Sequence, residues 1–367
     1  MRLFRYYFFM ALCLFLVSST YACTGITVKT KDGSVISSRT LEFGTDLKSD
    51  IILIPRNYQM HSVLSNGSNG IAWTQKYATL GFNGLNKLII AEGFNEKGLA
   101  AGAFYLPGYA EYAKLSPDNM KKAMLSTDFP AWLLGNFGSV DEVKANLKNA
   151  VIVEGSLPGL DIPMPLHYRV TDSSGKVIVI EFVNGGQMNV YDNPLGVITN
   201  SPTWDWHITN LRNYVNLSAT NVPQINLSGI KLSSFGQGSG MLGLPGDFTP
   251  PSRFVRILAI QQSALPVDTA DEGVILAWNI INNVNIPKGS TRDVSSKGET
   301  HYDHTEWVNV TDLRNLKLYF RNYENPEIRV VSMKELNLDG KDVVSIGIAT
   351  SPQFHDVSSN AKKAVFK

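Results

Sequence analysis

Cys23 is one of only two cysteines in a chain of 367 residues, and the other, Cys13, lies in a segment built like a cleavable leader. If the chain begins at Cys23 after cleavage, one residue carries both a thiol and a free α-amine. That pair is chemically self-contained, because the sulfur can attack while the amine takes its proton. Ordinary pKa values near 8.5 and 8 let modest electrostatic help bring both groups to the useful state near neutrality. Sixteen residues on, Ser38-Arg39-Thr40-Leu41-Glu42-Phe43 supplies a cation and a carboxylate. An arginine beside a thiol favours the thiolate. A carboxylate there can hydrogen-bond the amine and orient it. Three plainer readings stand beside this one. Cys23 could be a small buried hydrophobe or an acylated lipoprotein anchor, and Arg39 with Glu42 could be a surface ion pair of little worth. Thr20 and Tyr21 depart from the aliphatic and small residues that lipoprotein processing prefers.

The leader reads in three zones over residues 1–22. Arg2 and Arg5 form a positive start, Tyr6 to Val17 an apolar stretch, and Ser18 to Ala22 a small, mostly polar end. Thr20-Tyr21-Ala22 places small residues at the two positions a signal peptidase inspects. The apolar stretch falls short of the roughly 18 residues a membrane span needs. The expectation is an exported protein, periplasmic or extracellular, with no stable membrane insertion after cleavage. Beyond Ala22, 345 residues remain, enough for one large or two ordinary domains. Hydrophobic (44%) and charged (18%) fractions are those of a soluble globular protein. Without Arg2 and Arg5, 31 basic residues face 32 acidic ones, so no basic surplus draws nucleic acid. One remaining cysteine excludes an internal disulfide, and stability rests on core packing.

The elements that must position these residues follow from local patterning. Ile26-Thr27-Val28, the turn Lys31-Asp32-Gly33 and Val35-Ile36 read as a β-hairpin beginning at Cys23. A hairpin brings its ends together, so Arg39 and Glu42 are expected beside Cys23. Alternation marks strands at Ile51 to Ile54 and Leu88 to Glu92, then a meander over Leu166 to Val170, Val177 to Val183 and Met188 to Tyr191. Ser139 with Glu142 reads as a capping box. Asp205 to Tyr214, Ser252 to Ile260 and Ala270 to Ile281 carry helical spacing, and strands return at Trp307 to Val310, Lys317 to Arg321 and Ile328 to Val331. Hairpins, then helices, then more strands imply one layered α+β domain over residues 23–367.

Several familiar motifs fail on context. No G-x-S-x-G elbow exists. Gly238-x-Gly240-x-x-Gly243 has the spacing of a dinucleotide fingerprint, but Leu244-Pro245-Gly246 interrupts the helix it should open. His301-Tyr302-Asp303-His304-Thr305-Glu306 looks metal-like. If it enters a strand at Trp307, however, its two histidines point to opposite faces. No metal and no cofactor is expected.

Taken together, the motifs resemble the choloylglycine hydrolase and penicillin V acylase family of N-terminal nucleophile hydrolases. Four blocks carry the likeness in order. They are Cys23-Thr24-Gly25 with Arg39, Asn95-Glu96-Lys97-Gly98-Leu99 running into Phe104-Tyr105-Leu106-Pro107-Gly108-Tyr109-Ala110, Thr199-Asn200-Ser201-Pro202, and Leu244-Pro245-Gly246-Asp247-Phe248 with Ser252-Arg253-Phe254. Asp303-His304-Thr305, Thr311-Asp312-Leu313 and Tyr319-Phe320 resemble the family's late strand pair. The resemblance implies a four-layer αββα sandwich of two antiparallel sheets and hydrolysis of a linear carbon–nitrogen amide bond. It implies Cys23 as nucleophile and, through its amine, base. Arg39 would stabilise the thiolate, Asn200 would donate to the oxyanion, and Arg253 would complete the polar network. It also implies a small-molecule N-acyl amide as substrate and homo-oligomers, commonly tetramers.

Two positions depart from the common pattern. Glu42 stands where many members carry aspartate, which keeps the charge and moves the carboxylate. Tyr105, expected to border the oxyanion hole, stands where bile-salt hydrolases typically have asparagine and penicillin V acylases tyrosine. That residue points first to penicillin V, with conjugated bile salts and acyl homoserine lactones as alternatives. Phe43, Trp204 and Trp206 are candidate walls for the acyl group, or ordinary core aromatics. From another class, the chain could be a binding module that kept the fold without catalysis.

Overall fold

The computed structural model describes residues 22–156, 164–294, 298–362 and 364. The leader expected over 1–22 lies outside the described residues, apart from Ala22. Strands β1 (Cys23–Lys29) and β2 (Val35–Phe43) form the expected hairpin, with Cys23 opposite Leu41 and Gly25 opposite Arg39. Gly33 closes its turn at φ 81°, where a side chain would strain the backbone.

Of the strands that build the two large sheets, nine more follow before the chain's end region: β3 (Asp50–Ile54), β4 (Thr79–Gly84), β5 (Lys87–Asn95), β6 (Ala100–Tyr105), β7 (Leu166–Thr171), β8 (Val177–Val183), β9 (Gln187–Asp192), β10 (His304–Asp312) and β11 (Lys317–Asn322). Strands β12 (Arg329–Ser332) and β13 (Val344–Gly347) complete two antiparallel sheets. One has the order β1-β2-β10-β11-β12 and the other β9-β8-β7-β6-β5-β4-β3-β13. The helices are α1 (Phe129–Asn136), α2 (Val140–Asn146), α3 (Trp204–Asn210), α4 (Pro250–Ser263) and α5 (Ala270–Ile281).

Three apolar clusters define the layers. Val35, Leu41, Leu80, Phe82, Phe104 and Trp307 fill the space between the sheets, where Phe82 stacks on Trp307 with centroids 4.0 Å apart. Phe129, Trp132, Leu133 and Val143 pack α1 and α2 onto the outer face of the larger sheet. Phe254, Ile257, Val274 and Trp278 pack α4 and α5 onto Ile26, Val28, Ile36 and Val310 of the smaller one. The result is helix, sheet, sheet, helix, as the resemblance implied. Alternation along β2 makes this possible, because Val35 faces the second sheet while Ile36 faces α5.

Buried charge also joins the two sheets. Arg169 on β7 donates to Ile26 O (2.7 Å) and Ser37 Oγ (2.8 Å), and lies 3.5 Å from Glu92 Oε1. Gly25 is required at this crossing, since a Cβ there would meet Arg169 Nη1 at 2.7 Å and Phe104 Cζ at 2.8 Å.

Candidate active site

Cys23 sits at the start of β1, buried, in an edge strand that a third segment covers. Gly25 N donates to Ile198 O (2.8 Å) and Ile198 N to Gly25 O (3.0 Å), which lays residues 198–200 alongside Cys23. Asn200 then accepts from Cys23 N at its Oδ1 (2.6 Å) and donates from Nδ2 to Tyr105 O (2.9 Å). An amide nitrogen carries two hydrogens, so the second remains for an oxyanion.

Arg253, in the first turn of α4, reaches down into the same point. Its Nη1 donates to Cys23 O and Thr24 Oγ1, both at 2.6 Å. Its Nη2 donates to Asn200 Oδ1 (2.8 Å), and its Nε to Phe248 O (2.8 Å). One fully buried guanidinium thus ties the strand bearing the thiol to the segment bearing the amide.

Arg39 approaches from the other side. It faces the second sheet, donates from Nη1 to Ala91 O (2.9 Å) and Ala103 O (2.8 Å), and lies over the Phe104 ring at 4.2 Å. It lines one cavity with Cys23. Glu42 lies at the far end of β2, fully buried, and accepts from Thr305 Oγ1 at 2.7 Å. Thr305, which the sequence did not single out, therefore holds the longer carboxylate. Burial pushes the Glu42 carboxyl up to about 7, with the charges of Arg253 and Arg39 and the Thr305 hydroxyl pulling the other way.

Sequence reasoning also missed two histidines behind Asn200. His207, on α3, donates from Nε2 to Asn200 O (2.9 Å) and stacks on Phe254 at 4.7 Å. Burial presses it down to about 4, so it is neutral at pH 7. His167 contacts Thr199 O through Nε2 and Glu181 Oε1 through Nδ1, each at 3.0 Å. Glu181 in turn accepts from Trp204 N (2.9 Å) at the start of α3. These contacts fix the backbone of Thr199 and Asn200 from behind.

The cavity beside Cys23 is almost wholly apolar. Leu41, Phe43, Leu47, Leu85, Ile90, Tyr105, Met164 and Leu166 contribute to its walls. Trp204 and Trp206 stand outside this lining. Trp204 packs against Tyr191 at 5.3 Å, and Trp206 is half exposed beside His207. Gly238 to Gly243 is a loop with one short turn of 3-10 helix. His304 begins β10 and is buried while His301 is exposed, and no group of three or more His, Cys, Asp or Glu among the described residues could hold a metal ion.

A thiol whose own backbone nitrogen is held by an amide, beside buried arginines and an apolar cavity, has the parts of an acyl-transfer site. The family model for linear amide C–N hydrolases of the choloylglycine hydrolase family matches residues 23–346. The chain belongs to that family. A choloylglycine hydrolase family member acts on carbon–nitrogen bonds in linear amides, so this chain is an amide hydrolase. It is 38% identical over 323 residues to a bile salt hydrolase/transferase from Clostridium perfringens, covering 88% of this chain and 95% of that one. A penicillin V acylase from Pectobacterium atrosepticum is 25% identical over 350 residues, or 90% and 86% of the two chains. A crystal structure of a mutant conjugated bile acid hydrolase from Clostridium perfringens superposes with a TM-score of 0.81 at 35% identity, covering 92% of this chain and all of that one.

The buried carboxyls set the pH dependence of stability. Glu42 at about 7, Glu306 at about 8 and Asp128 at about 6 are all raised by burial above ordinary values of 4.5 or 3.8. Between those ordinary values and the raised ones, the folded chain keeps protons that the unfolded chain has released. These three carboxyls therefore lower stability as pH rises from about 4 to about 8, while the depressed His207 partly offsets them below about 6.5. Glu42 alone contributes a loss on the order of 3 kcal/mol across that window. Thermal melts should show a higher Tm at pH 5 than at pH 8, and Glu42→Gln should flatten the slope. A Tm that rises over this window would contradict the assignment.

Proposed function

We propose that the chain, beginning at Cys23, hydrolyses N-acyl amides through a thioester on that residue, with conjugated bile salts as its preferred substrates. The thiol proton passes to the Cys23 amine as Sγ attacks the carbonyl carbon, and the C=O pair moves onto oxygen. Asn200 Nδ2 donates to that oxyanion, a contact of the kind whose removal costs roughly 3–4 kcal/mol of barrier. Collapse breaks the C–N bond, and the ammonium returns its proton to the leaving nitrogen. Water then attacks the thioester while the amine takes its proton. Departure of the thiolate frees the acid and restores the thiol.

The observation that carries this reading is the held nitrogen of Cys23 beside an apolar cavity. Solved variants of the Clostridium perfringens enzyme add support. They exchange a cysteine for alanine and an arginine for leucine, separated by the same sixteen residues as Cys23 and Arg39. On substrate, the relatives outweigh the expectation drawn from Tyr105. The similarity to a bile salt hydrolase (38%) exceeds that to a penicillin V acylase (25%), and a fused apolar ring system suits walls of Leu, Ile, Phe and Met. Export, with cleavage after Ala22, belongs to the same reading because it would create the amine.

The test is kcat/KM on glycocholate, taurocholate, penicillin V and a long-chain acyl homoserine lactone. The bile conjugates should be preferred by at least about tenfold, the discrimination apolar pocket contacts can supply. Preference for penicillin V would restore the reading from Tyr105. No turnover of any of them would sink the substrate class.

A further inference from the structure

The pairing of β10 with β2 slips at one place. Thr305 is opposite Glu42 and Trp307 is opposite Leu41, so Glu306 has no partner across the ladder. Such a bulge re-aims one side chain. Here the two residues at the slip serve different tasks. Thr305 points its hydroxyl at Glu42, while Glu306 turns to the loop after β2. There Leu47 N donates to both its carboxylate oxygens, at 3.3 Å and 3.2 Å. Leu85 N closes on Leu47 O at 2.6 Å from the opposite sheet.

Pinned on both sides of its backbone, Leu47 is buried and joins the apolar lining beside Cys23. Its neighbours Asp46 and Lys48 face away, into a separate polar cleft that Glu306 also borders. The Leu47 side chain is therefore a partition between an apolar space and a polar one. Without the carboxyl of Glu306, its backbone N–H has no acceptor among the described contacts, and the loop loses one of its two anchors.

We propose that Glu306 is a positioning residue that holds Leu47 as the wall limiting how large an acyl group reaches Cys23. The bulge at Thr305 and Glu306 thus sets the Glu42 carboxyl and the acyl-pocket boundary together. This rests on the amide-hydrolase reading of the same cavity, but it can be tested without turnover.

Cys23 is the sole thiol after the leader, so maleimides of graded size report the space beside it. The thiol adds across the maleimide double bond, forming the S–C bond while its proton passes to the neighbouring carbon. The measurement is the ratio of labelling rates for N-(1-pyrenyl)maleimide and N-ethylmaleimide, in the chain beginning at Cys23. That ratio should rise about tenfold in L47A and E306A, and stay near the wild-type value in E306Q, which keeps an acceptor for Leu47 N. If E306A does not fold, E306L removes the acceptor at similar volume and replaces it. A wild-type ratio in folded L47A overturns the wall. A raised ratio in L47A but not in the folded Glu306 variant overturns the role of Glu306. Failure of the amide-hydrolase reading would appear separately, as absent turnover with labelling intact.

Discussion

Cys23→Ala will reduce turnover to the uncatalysed background while leaving the fold in place. The side chain lost is one sulfur atom in the cluster between the sheets, so the cost in stability should be about 1 kcal/mol. The contacts that organise the site are made by the backbone of residue 23 and survive, because Asn200 and Arg253 hold its nitrogen and carbonyl. The chemical loss is of another order. Removing a nucleophile from a site that acts as a unit typically costs on the order of 10⁴ to 10⁶ in kcat. Cys23→Ser is the sharper control. It restores a nucleophilic atom of similar size, but its hydroxyl is a far weaker acid than a thiol and an amine base cannot ionise it usefully. Steady-state rates on glycocholate, with near-unchanged melting curves, would establish the role. Turnover by the alanine variant within tenfold of wild type would end it.

The parts of this site differ in how far they could be read from the chain. The β1–β2 hairpin was legible because its signals are local, and the fold places Arg39 and Glu42 on β2, near Cys23, as that hairpin requires. Helix α5 matches the expected Ala270 to Ile281, since its apolar stripe is continuous against one sheet. The capping box at Ser139 is half made: Glu142 N donates to Ser139 Oγ, while the Glu142 carboxylate accepts from Gly138 N instead. Strand order was not legible. β10 lies beside β2 and β13 beside β3, across separations that periodicity does not report. Asn200 and Arg253 were placed only by resemblance, because Asn200 meets Cys23 across 177 residues of chain. His167, Glu181 and His207 gave no signal at all. Each looks like an isolated polar residue, and only the fold converts three buried side chains on separate elements into one support for Asn200. Trp204 and Trp206, which the sequence offers equally as acyl walls or ordinary core aromatics, stand outside the lining of the Cys23 cavity.

A chain that keeps Ala22 ahead of Cys23 should fold normally and lose about 10² to 10⁴ in turnover. The fold accepts the extension. Ala22 is buried, and its carbonyl takes a hydrogen bond from Glu42 N at 3.0 Å, continuing the ladder of β1 and β2 by one residue. The thiol, Arg39, Asn200 and Arg253 would all remain in position. What changes is one atom. With Ala22 attached, the Cys23 nitrogen is an amide, its lone pair is delocalised into the carbonyl, and it cannot take the thiol proton. With Ala22 removed, the same nitrogen is an amine with a pKa near 8, already held by Asn200 Oδ1 at 2.6 Å. Loss of a positioned base alone costs about 10² to 10⁴, and among the described residues no histidine hydrogen-bonds Cys23 in its place. The experiment compares a chain starting at Cys23 with one whose junction cannot be cleaved, using intact mass to fix each terminus, maleimide labelling to show that the thiol is present, and glycocholate turnover as the readout. Full activity in a chain whose mass still includes Ala22 would show that the base is not the amine. In that case the buried Glu42 carboxyl, near neutrality at about 7, becomes the group to test as proton acceptor.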